Sequence, residues 1–180
     1  IGILGYGRIG KAIASRIKPF GVEVIACSPR IPGSGVKPDK YYPLSQLSQF
    51  LSESDFLVIA APLTEETHDL IGDKELSQMR PSSVLINIAR GAIVNEHAIF
   101  NALKTGTIGG AVIDTWYHYP ENLLDVTPPS KYDFSKLENV IMTPHSSAWT
   151  DGLILRRNRV IAENLNRLSD GRELMNVVSD

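Results

Sequence analysis

Cysteine is almost absent from this sequence of 180 residues, in which Cys27 is the single example. One thiol excludes an internal disulfide and is typical of a reducing compartment, so we expect a cytoplasmic protein. Long hydrophobic runs are lacking too. The longest apolar stretch, residues 56–62, has the length of a strand and is too short for a membrane span. We therefore expect no membrane partner.

An excess of one charge is also lacking, because 18 lysine and arginine residues stand against 20 acidic ones and both signs are spread along the chain. Without a basic stripe, we expect no nucleic-acid partner. With 43% apolar residues, the chain is long enough for one core and too short to require two. It opens directly on an apolar strand, so we expect it to be a fragment whose natural N-terminus lies upstream.

Apolar runs of strand length alternate with segments of helical period from end to end. The runs are continuously apolar, which indicates a sheet covered by helices on both faces. We therefore predict a single doubly wound parallel α/β domain of Rossmann type over residues 1–180. The predicted strands are residues 1–4, 22–27, 56–61, 84–88, 111–114 and 140–142. In the first helix, residues 8–18, we expect Ile9, Ile13 and Ile17 to form one buried stripe.

A glycine-rich segment lies between the first strand and the first helix and reads Gly5-Tyr6-Gly7-Arg8-Ile9-Gly10. Gly5 permits a tight turn, Gly7 lets the backbone approach phosphates, and Gly10 lets the helix pack close to the strand. The positive end of the helix favours negative charge. This context predicts a dinucleotide-binding loop, with a plain tight turn as the alternative.

The end of the second strand, where NAD-specific sites carry an acid for the ribose 2′-hydroxyl, reads Cys27-Ser28-Pro29-Arg30. Ser28 would not repel a 2′-phosphate, and Arg30 has the fork geometry to pair with one. The alternative for Arg30 is a solvated loop residue. The sequence thus favours NADP slightly over NAD, with NAD or dual use left open.

Four further segments follow the glycine loop. They are Ala61-Pro62-Leu63-Thr64-Glu65-Glu66-Thr67, Asn87-Ile88-Ala89-Arg90-Gly91-Ala92-Ile93-Val94, Gly109-Gly110-Ala111-Val112-Ile113-Asp114 and Thr143-Pro144-His145-Ser146-Ser147. In content and order they resemble the D-isomer-specific 2-hydroxyacid dehydrogenase family over residues 1–178. The resemblance implies an NAD(P)-dependent enzyme, a homodimer, and a substrate domain absent from this chain, toward which residues 165–180 would cross back.

The resemblance also implies roles for single residues. Arg90 would clamp the carboxylate of a 2-oxo acid and polarise its carbonyl, and His145 would act as acid and base, because histidine changes charge near neutral pH. Asp114 would accept from the nicotinamide carboxamide, and Ser147 would touch the same ring. The remaining predicted cofactor contacts are Ala61, Pro62, Thr67, Ile88 and Ala89. No metal site is predicted, and His68, His97 and His118 are interpreted as solvated or structural.

One position departs from the family pattern. The family carries a glutamate before a proline shortly after the aspartate, paired with the catalytic histidine, whereas this sequence has Tyr119 before Pro120. A tyrosine cannot stabilise an imidazolium as a carboxylate does, although its hydroxyl can orient the ring. Glu121 is an alternative partner for His145.

Three hypotheses for function follow. The first is an oxidoreductase that passes a hydride between nicotinamide and a 2-oxo acid or D-2-hydroxy acid. The second is a catalytically weak NAD(P)-binding regulatory or sensor protein. The third is another dehydrogenase family that shares only the nucleotide fold, and the arginine and histidine segments argue against it.

Overall fold

A parallel sheet forms the centre of the fold. In the computed structural model, which describes residues 1–29, 33, 35–122 and 124–177, seven strands lie in the order β3-β2-β1-β4-β5-β6-β7. All their pairings are parallel, as predicted for a doubly wound α/β fold. The strands are β1 (Gly2–Leu4), β2 (Ile25–Cys27), β3 (Lys40–Tyr42), β4 (Phe56–Ile59), β5 (Val84–Asn87), β6 (Gly110–Ile113) and β7 (Val140–Met142).

Both faces of the sheet are packed. Ile3 and Ala26 belong to one buried cluster, whereas Leu4 and Ile25 belong to another. Because successive side chains of a strand point to opposite faces, the two clusters lie on opposite sides of the sheet. This is the physical reason why the strands are continuously apolar.

The position of β1 creates a crevice. It pairs with β2 on one side and with β4 on the other, so the connections that leave β1 and β4 run in opposite directions along the sheet. At such a switch point the carboxyl ends of the strands border an open cleft. Gly5 follows β1, Ala60 follows β4, and both therefore lie at this cleft.

The edge strand β3 was not predicted from the sequence. It has the sequence Lys40-Tyr41-Tyr42, and only Tyr42 is buried. A short, polar edge strand lacks the apolar run by which the other strands were recognised. The predicted strand at residues 22–27 is also shorter, since β2 begins at Ile25.

The first helix is α1 (Arg8–Ile17), and it does not bury all three isoleucines that were expected to form one stripe. Its buried residues are Gly10 and Ala14, while Ile9 is 59% exposed. Ile13 and Ile17 are half-buried against the cluster of Ile3. The stripe was wrong at Ile9 because small residues occupy the face on which the helix approaches β1 most closely.

The later helices of the first compact unit, Ile1–Ser147, are α2 (Leu47–Ser52), α3 (Asp73–Leu76) and α4 (Glu96–Thr105). Asn95 caps α4 by accepting a hydrogen bond from the backbone N–H of Ala98, and Gly106 ends it in a left-handed conformation. Its buried face includes Ile99, Ala102 and Leu103.

The second compact unit begins at Ala148 and contains α5 (Leu153–Ser169). This helix carries Ile154, Ile161, Leu165 and Leu168. Their spacing places the four side chains on one face of the helix. Across the part of the chain that the structure describes, no helix combines the length and apolar character needed to cross a membrane.

Candidate active site

Two adjoining cavities lie at the carboxyl ends of β1, β4 and β5. Their volumes are about 470 Å³ and 290 Å³, and both are lined by Gly7 and by residues 60–62. The larger also contacts Arg8, Ile9, Ile88, Ala89 and Arg90, and the smaller contacts Gly5, Tyr6, Ser28, Pro29 and Thr67. The glycine loop thus borders both cavities, at the strand ends where doubly wound folds bind dinucleotides.

The glycine loop has the geometry that the sequence predicted. Gly5 has a φ of +92°, and an added Cβ there would lie 2.5 Å from the backbone of Ala61. At Gly10 a Cβ would lie 2.4 Å from the carbonyl oxygen of Gly5. At Gly7, by contrast, a Cβ would meet no atom within 4 Å. The first and last glycines thus permit close packing, and the middle one leaves space where the groove is lined.

The N-terminus of α1 adds a positive end to this space. Gly7 is the N-cap, no side chain caps the helix, and the first turn contains no acidic residue. Backbone N–H groups and the helix dipole therefore favour an anion at this point. The residues present fit a dinucleotide whose pyrophosphate lies against the loop.

Tyr6 contributes its side chain to the core. The ring is 2% exposed, and its hydroxyl donates a hydrogen bond to the carbonyl oxygen of Val36 at 3.1 Å. Burial, with a smaller contribution from Asp39, raises the pKa of the phenol. The residue anchors the glycine loop, so any contact of Tyr6 with a cofactor would come from its backbone.

Ser28, which the sequence predicts to be a cofactor contact, lies at the wall of the smaller cavity, immediately after β2. Its carbonyl oxygen accepts a hydrogen bond from the Tyr41 hydroxyl, and its backbone N–H donates to Tyr42 at 3.3 Å. Arg30 lies outside the described residues. The same cavity is also lined by Glu66, which the sequence analysis did not single out although it belongs to the matched segment after β4.

Thr67 shapes the wall of the groove from within its own loop. Its hydroxyl donates to the carbonyl oxygen of Pro62 at 2.7 Å and accepts from the backbone N–H of Thr64 at 2.7 Å. The hydroxyl is thus engaged inside the segment 62–67, which follows β4. These hydrogen bonds fix the position of Pro62, which lines both cavities.

Arg90 is held at the groove by Asn87, a residue that sequence reasoning did not select. Asn87 is 2% exposed, donates to the carbonyl oxygen of Arg90 at 2.9 Å, and accepts from the N–H of Ala89 at 3.1 Å. The buried Asn87 amide therefore fixes two consecutive residues of the loop, Ala89 and Arg90. The Arg90 side chain is exposed, lines the larger cavity, and donates to the carbonyl oxygen of Ala89 at 2.6 Å.

Asp114 lies directly after β6 and is 1% exposed. Its carboxylate accepts from the Thr143 hydroxyl at 2.6 Å, the Ser146 N–H at 2.9 Å, the Ser147 N–H at 3.2 Å and the Ser147 hydroxyl at 2.5 Å. Burial disfavours the charge, but these donors outweigh it, so the pKa of the carboxyl lies below its ordinary value. Asp114 is a charged group held in the interior by hydrogen bonds.

His145 lies in the loop that these bonds fasten. Its φ is +55°, a left-handed conformation that costs a residue other than glycine on the order of 1 to 3 kcal/mol. Since β5, β6 and β7 are neighbours, the loops carrying Arg90, Asp114 and His145 follow three successive strand ends. Arg90 lines the larger cavity, whereas His145 is not among the residues that line it.

Tyr119 lies against His145, with 5.5 Å between ring centroids and an interplanar angle of 48°. Its hydroxyl accepts from the backbone N–H of Trp116 at 2.8 Å. Within the described ranges, neither a hydrogen bond nor an ion pair joins His145 to a carboxylate. The alternative partner, Glu121, has its backbone N–H bonded to Asp125 at 3.2 Å. Tyr119 is therefore the residue brought to the ring.

The other histidines make contacts elsewhere. His97 is bonded to the Tyr132 hydroxyl at 2.8 Å and to Asn101 at 2.7 Å. His68 approaches Asp69 at 3.3 Å, and His118 is 4.0 Å from a carboxylate oxygen of Glu96. These contacts are compatible with the structural interpretation of all three.

The comparisons with known proteins identify the family. The family model described as D-isomer specific 2-hydroxyacid dehydrogenase, NAD binding domain, matches residues 1–147. A glyoxylate reductase of Thermococcus gammatolerans is 37% identical over 171 residues, which are 95% of this chain and 48% of that protein. The chain spans about half the length of the curated relatives it matches.

Two solved structures have the same fold. A D-isomer specific 2-hydroxyacid dehydrogenase from Xanthobacter autotrophicus Py2, in complex with NADPH and MES, superimposes with a TM-score of 0.84 at 29% identity. The match covers 99% of this chain and 70% of that one. The NAD-complexed enzyme from Lactobacillus delbrueckii ssp. bulgaricus gives a TM-score of 0.87 at 29% identity, over 99% and 55% of the two chains. This chain belongs to the D-isomer specific 2-hydroxyacid dehydrogenase family and matches its NAD binding domain.

Proposed function

We propose that the full-length protein is an NAD(P)-dependent oxidoreductase that transfers a hydride between the nicotinamide and a 2-oxo acid or D-2-hydroxy acid. The observation that carries the proposal is the groove that runs from the glycine loop to Arg90. It brings a phosphate-binding helix end and a guanidinium to one cavity. A cofactor pyrophosphate and a carboxylate substrate need these two groups.

The nicotinamide, when bound, supplies or accepts the hydride. Arg90 binds the substrate carboxylate through a bidentate contact and draws electron density from the carbonyl oxygen. His145 gives that oxygen a proton during reduction and takes it back during oxidation. Tyr119 packs against the imidazole in place of the carboxylate that the family uses, and so limits the orientations of the ring without adding a charge.

NADP is proposed as the slightly favoured cofactor. Ser28 at the end of β2 presents no negative charge to a 2′-phosphate. Glu66 at the same cavity acts in the opposite direction, because a carboxylate repels a phosphate. Arg30, which lies outside the described residues, would favour NADP by pairing with the 2′-phosphate. The dissociation constants of NADP and NAD measure the preference directly.

The substrate is proposed to be a small 2-oxo acid, and the name of the glyoxylate reductase relative supports this class. Residues 165–180, of which 178–180 lie outside the described residues, are expected from the resemblance to lead toward a substrate domain outside this chain. The homodimer implied by the resemblance stays a prediction, which the molecular mass of the full-length protein in solution tests. The cytoplasmic location also stays a prediction.

The test is the oxidation of NADPH and NADH by the full-length protein, followed by absorbance with glyoxylate, hydroxypyruvate and pyruvate. Turnover with at least one of these acids, lost in Arg90→Ala, supports the proposal. Tight binding of the cofactor without turnover on any of them would contradict it and favour the regulatory or sensor alternative.

A further inference from the structure

Both backbone groups of Ser28 are bonded to the edge strand β3. The N–H donates to the carbonyl oxygen of Tyr42 at 3.3 Å, and the carbonyl oxygen accepts from the hydroxyl of Tyr41. The N–H belongs to the peptide before Ser28, and the carbonyl belongs to the peptide after it. The two bonds therefore restrain both backbone dihedral angles of Ser28, and with them the direction in which its side chain leaves the backbone.

Only the bond to the carbonyl depends on a side chain. The N–H bond continues the parallel ladder of β2 and β3, in which Cys27 is paired with Tyr42. The carbonyl bond is made by the phenol of Tyr41, whose ring is half-buried. Burial raises the pKa of this phenol above its ordinary value, so Tyr41 keeps its proton at neutral pH and acts as the donor. A phenylalanine at this position would offer the carbonyl no donor.

The position of Ser28 matters because of the cavity that it lines. Ser28 and Glu66 both contact the smaller cavity, at the end of β2 where dinucleotide-binding folds meet the adenosine ribose. NADP and NAD differ at this ribose, where NADP carries a 2′-phosphate and NAD a 2′-hydroxyl. Hydrogen bonds to a charged phosphate are stronger than those to a hydroxyl, so the affinity for NADP depends more on where Ser28 lies. A residue that fixes Ser28 can therefore affect the two cofactors unequally.

We propose that Tyr41 is a positioning residue for cofactor choice, whose hydroxyl holds Ser28 in the orientation that accepts the 2′-phosphate of NADP. The inference rests on the proposed function, in which the groove binds a dinucleotide. Tyr41 acts through Ser28, since it is not among the described residues that line the cavity. The competing interpretation is that Tyr41 only stabilises the edge strand and affects both cofactors alike.

The next residue along the strand provides a matched control. Tyr42 points to the opposite face of β3, is 6% exposed, and donates its hydroxyl to a carboxylate oxygen of Glu53 at 2.8 Å. Tyr42→Phe removes the same atom from the same strand and leaves the backbone carbonyl that accepts from Ser28. Both substitutions lose one hydrogen bond, but only Tyr41→Phe loses one at Ser28.

The experiment compares full-length wild type, Tyr41→Phe and Tyr42→Phe. The dissociation constants of NADPH and NADH are measured, together with kcat for glyoxylate at saturating NADPH and the Tm. For Tyr41→Phe we expect the dissociation constant of NADPH to rise about fivefold, which corresponds to about 1 kcal/mol, the net contribution of one hydrogen bond. The constant for NADH should change less than about twofold, and kcat should be unchanged. Tyr42→Phe should lower the Tm and leave both constants within about twofold of wild type.

A second background tests whether Tyr41 acts through Ser28. In Ser28→Ala the side chain that Tyr41 positions is gone, so adding Tyr41→Phe should change the ratio of the two constants by less than about twofold. The full fivefold shift in that background would overturn the proposal. Equal weakening of both cofactors by Tyr41→Phe, no weakening, or the same shift of the ratio in Tyr42→Phe would also overturn it.

The binding and turnover measurements separate this proposal from the proposed function. If wild type binds both cofactors but turns over no 2-oxo acid, the proposed function is contradicted, whereas the ratio of dissociation constants still decides the role of Tyr41. If wild type turns over and Tyr41→Phe leaves the ratio unchanged, the proposed function stands and the role of Tyr41 is refuted. Failure of wild type to bind either cofactor would contradict both.

Discussion

The second and third glycines of the cofactor loop, Gly7 and Gly10, should separate stability from binding when each is changed to alanine. At Gly10 the added Cβ would lie 2.4 Å from the Gly5 carbonyl oxygen and 3.1 Å from a methyl of Ile3. The first contact is with a backbone atom, and moving the backbone costs more free energy than rotating a side chain. Overpacking of this kind costs about 1 to 3 kcal/mol. At about 2 kcal/mol, Gly10→Ala should lower the Tm by roughly 4 to 8 °C for a domain of this size.

Gly7→Ala is the matched control for stability. Gly7 has a φ of −79°, which any residue adopts, and its added Cβ meets nothing within 4 Å. The free energy of unfolding should therefore change by less than about 0.5 kcal/mol. The methyl group would, however, fill space that the pyrophosphate needs. We expect the dissociation constant of NADPH to rise at least about tenfold, which corresponds to about 1.4 kcal/mol.

Thermal unfolding of the full-length protein and titration with NADPH measure both effects. The reasoning is refuted if Gly7→Ala binds NADPH as tightly as wild type, since the loop would then not be the phosphate site. It is also refuted if Gly10→Ala has the same Tm as wild type, since the close contact of α1 with the loop would then not affect the free energy of unfolding.

Three further substitutions test the other parts of the site in the full-length protein. Arg90→Lys replaces a planar fork by a point charge, so KM for glyoxylate should rise about tenfold and kcat should fall, and unchanged steady-state kinetics would exclude the clamp. Tyr119→Glu places a carboxylate against the His145 ring and favours the imidazolium. The pH profile of kcat/KM for reduction should extend upward by about one unit, whereas a profile that instead responds to Glu121→Gln would transfer the role to that residue. Ser28→Asp should raise the dissociation constant of NADP relative to that of NAD by about tenfold, and an unchanged ratio would remove Ser28 from the 2′-phosphate site.

Much of the fold was predictable because the strands are buried on both faces. Continuous apolar runs such as residues 56–59 are visible in the sequence, and glycines mark the loop that follows β1. The edge strand β3 was missed, since its exposed positions carry polar or amphipathic residues. Ile9 was misplaced because periodicity identifies the apolar residues of a helix, whereas close packing selected Gly10 and Ala14.

The segments of the candidate site could be recognised from the sequence, whereas the hydrogen bonds within it could not. The segments that contain Arg90 and His145 could be recognised from residue order alone. The partners of Asp114 lie 29 to 33 residues away along the chain, and no local pattern connects them. Asn87 stood within the matched arginine segment, but only the structure places its amide against both sides of the Arg90 loop.

The most direct test of the central claim is a single turnover at His145. Full-length wild type and His145→Ala are each loaded with NADPH, mixed with glyoxylate, and followed by the loss of reduced cofactor. The account predicts equal NADPH affinity in the two proteins and a rate roughly 10² to 10⁴ lower in the variant, the range for a lost general acid. A variant that oxidises NADPH at nearly the wild-type rate would contradict the assignment of His145 as proton donor.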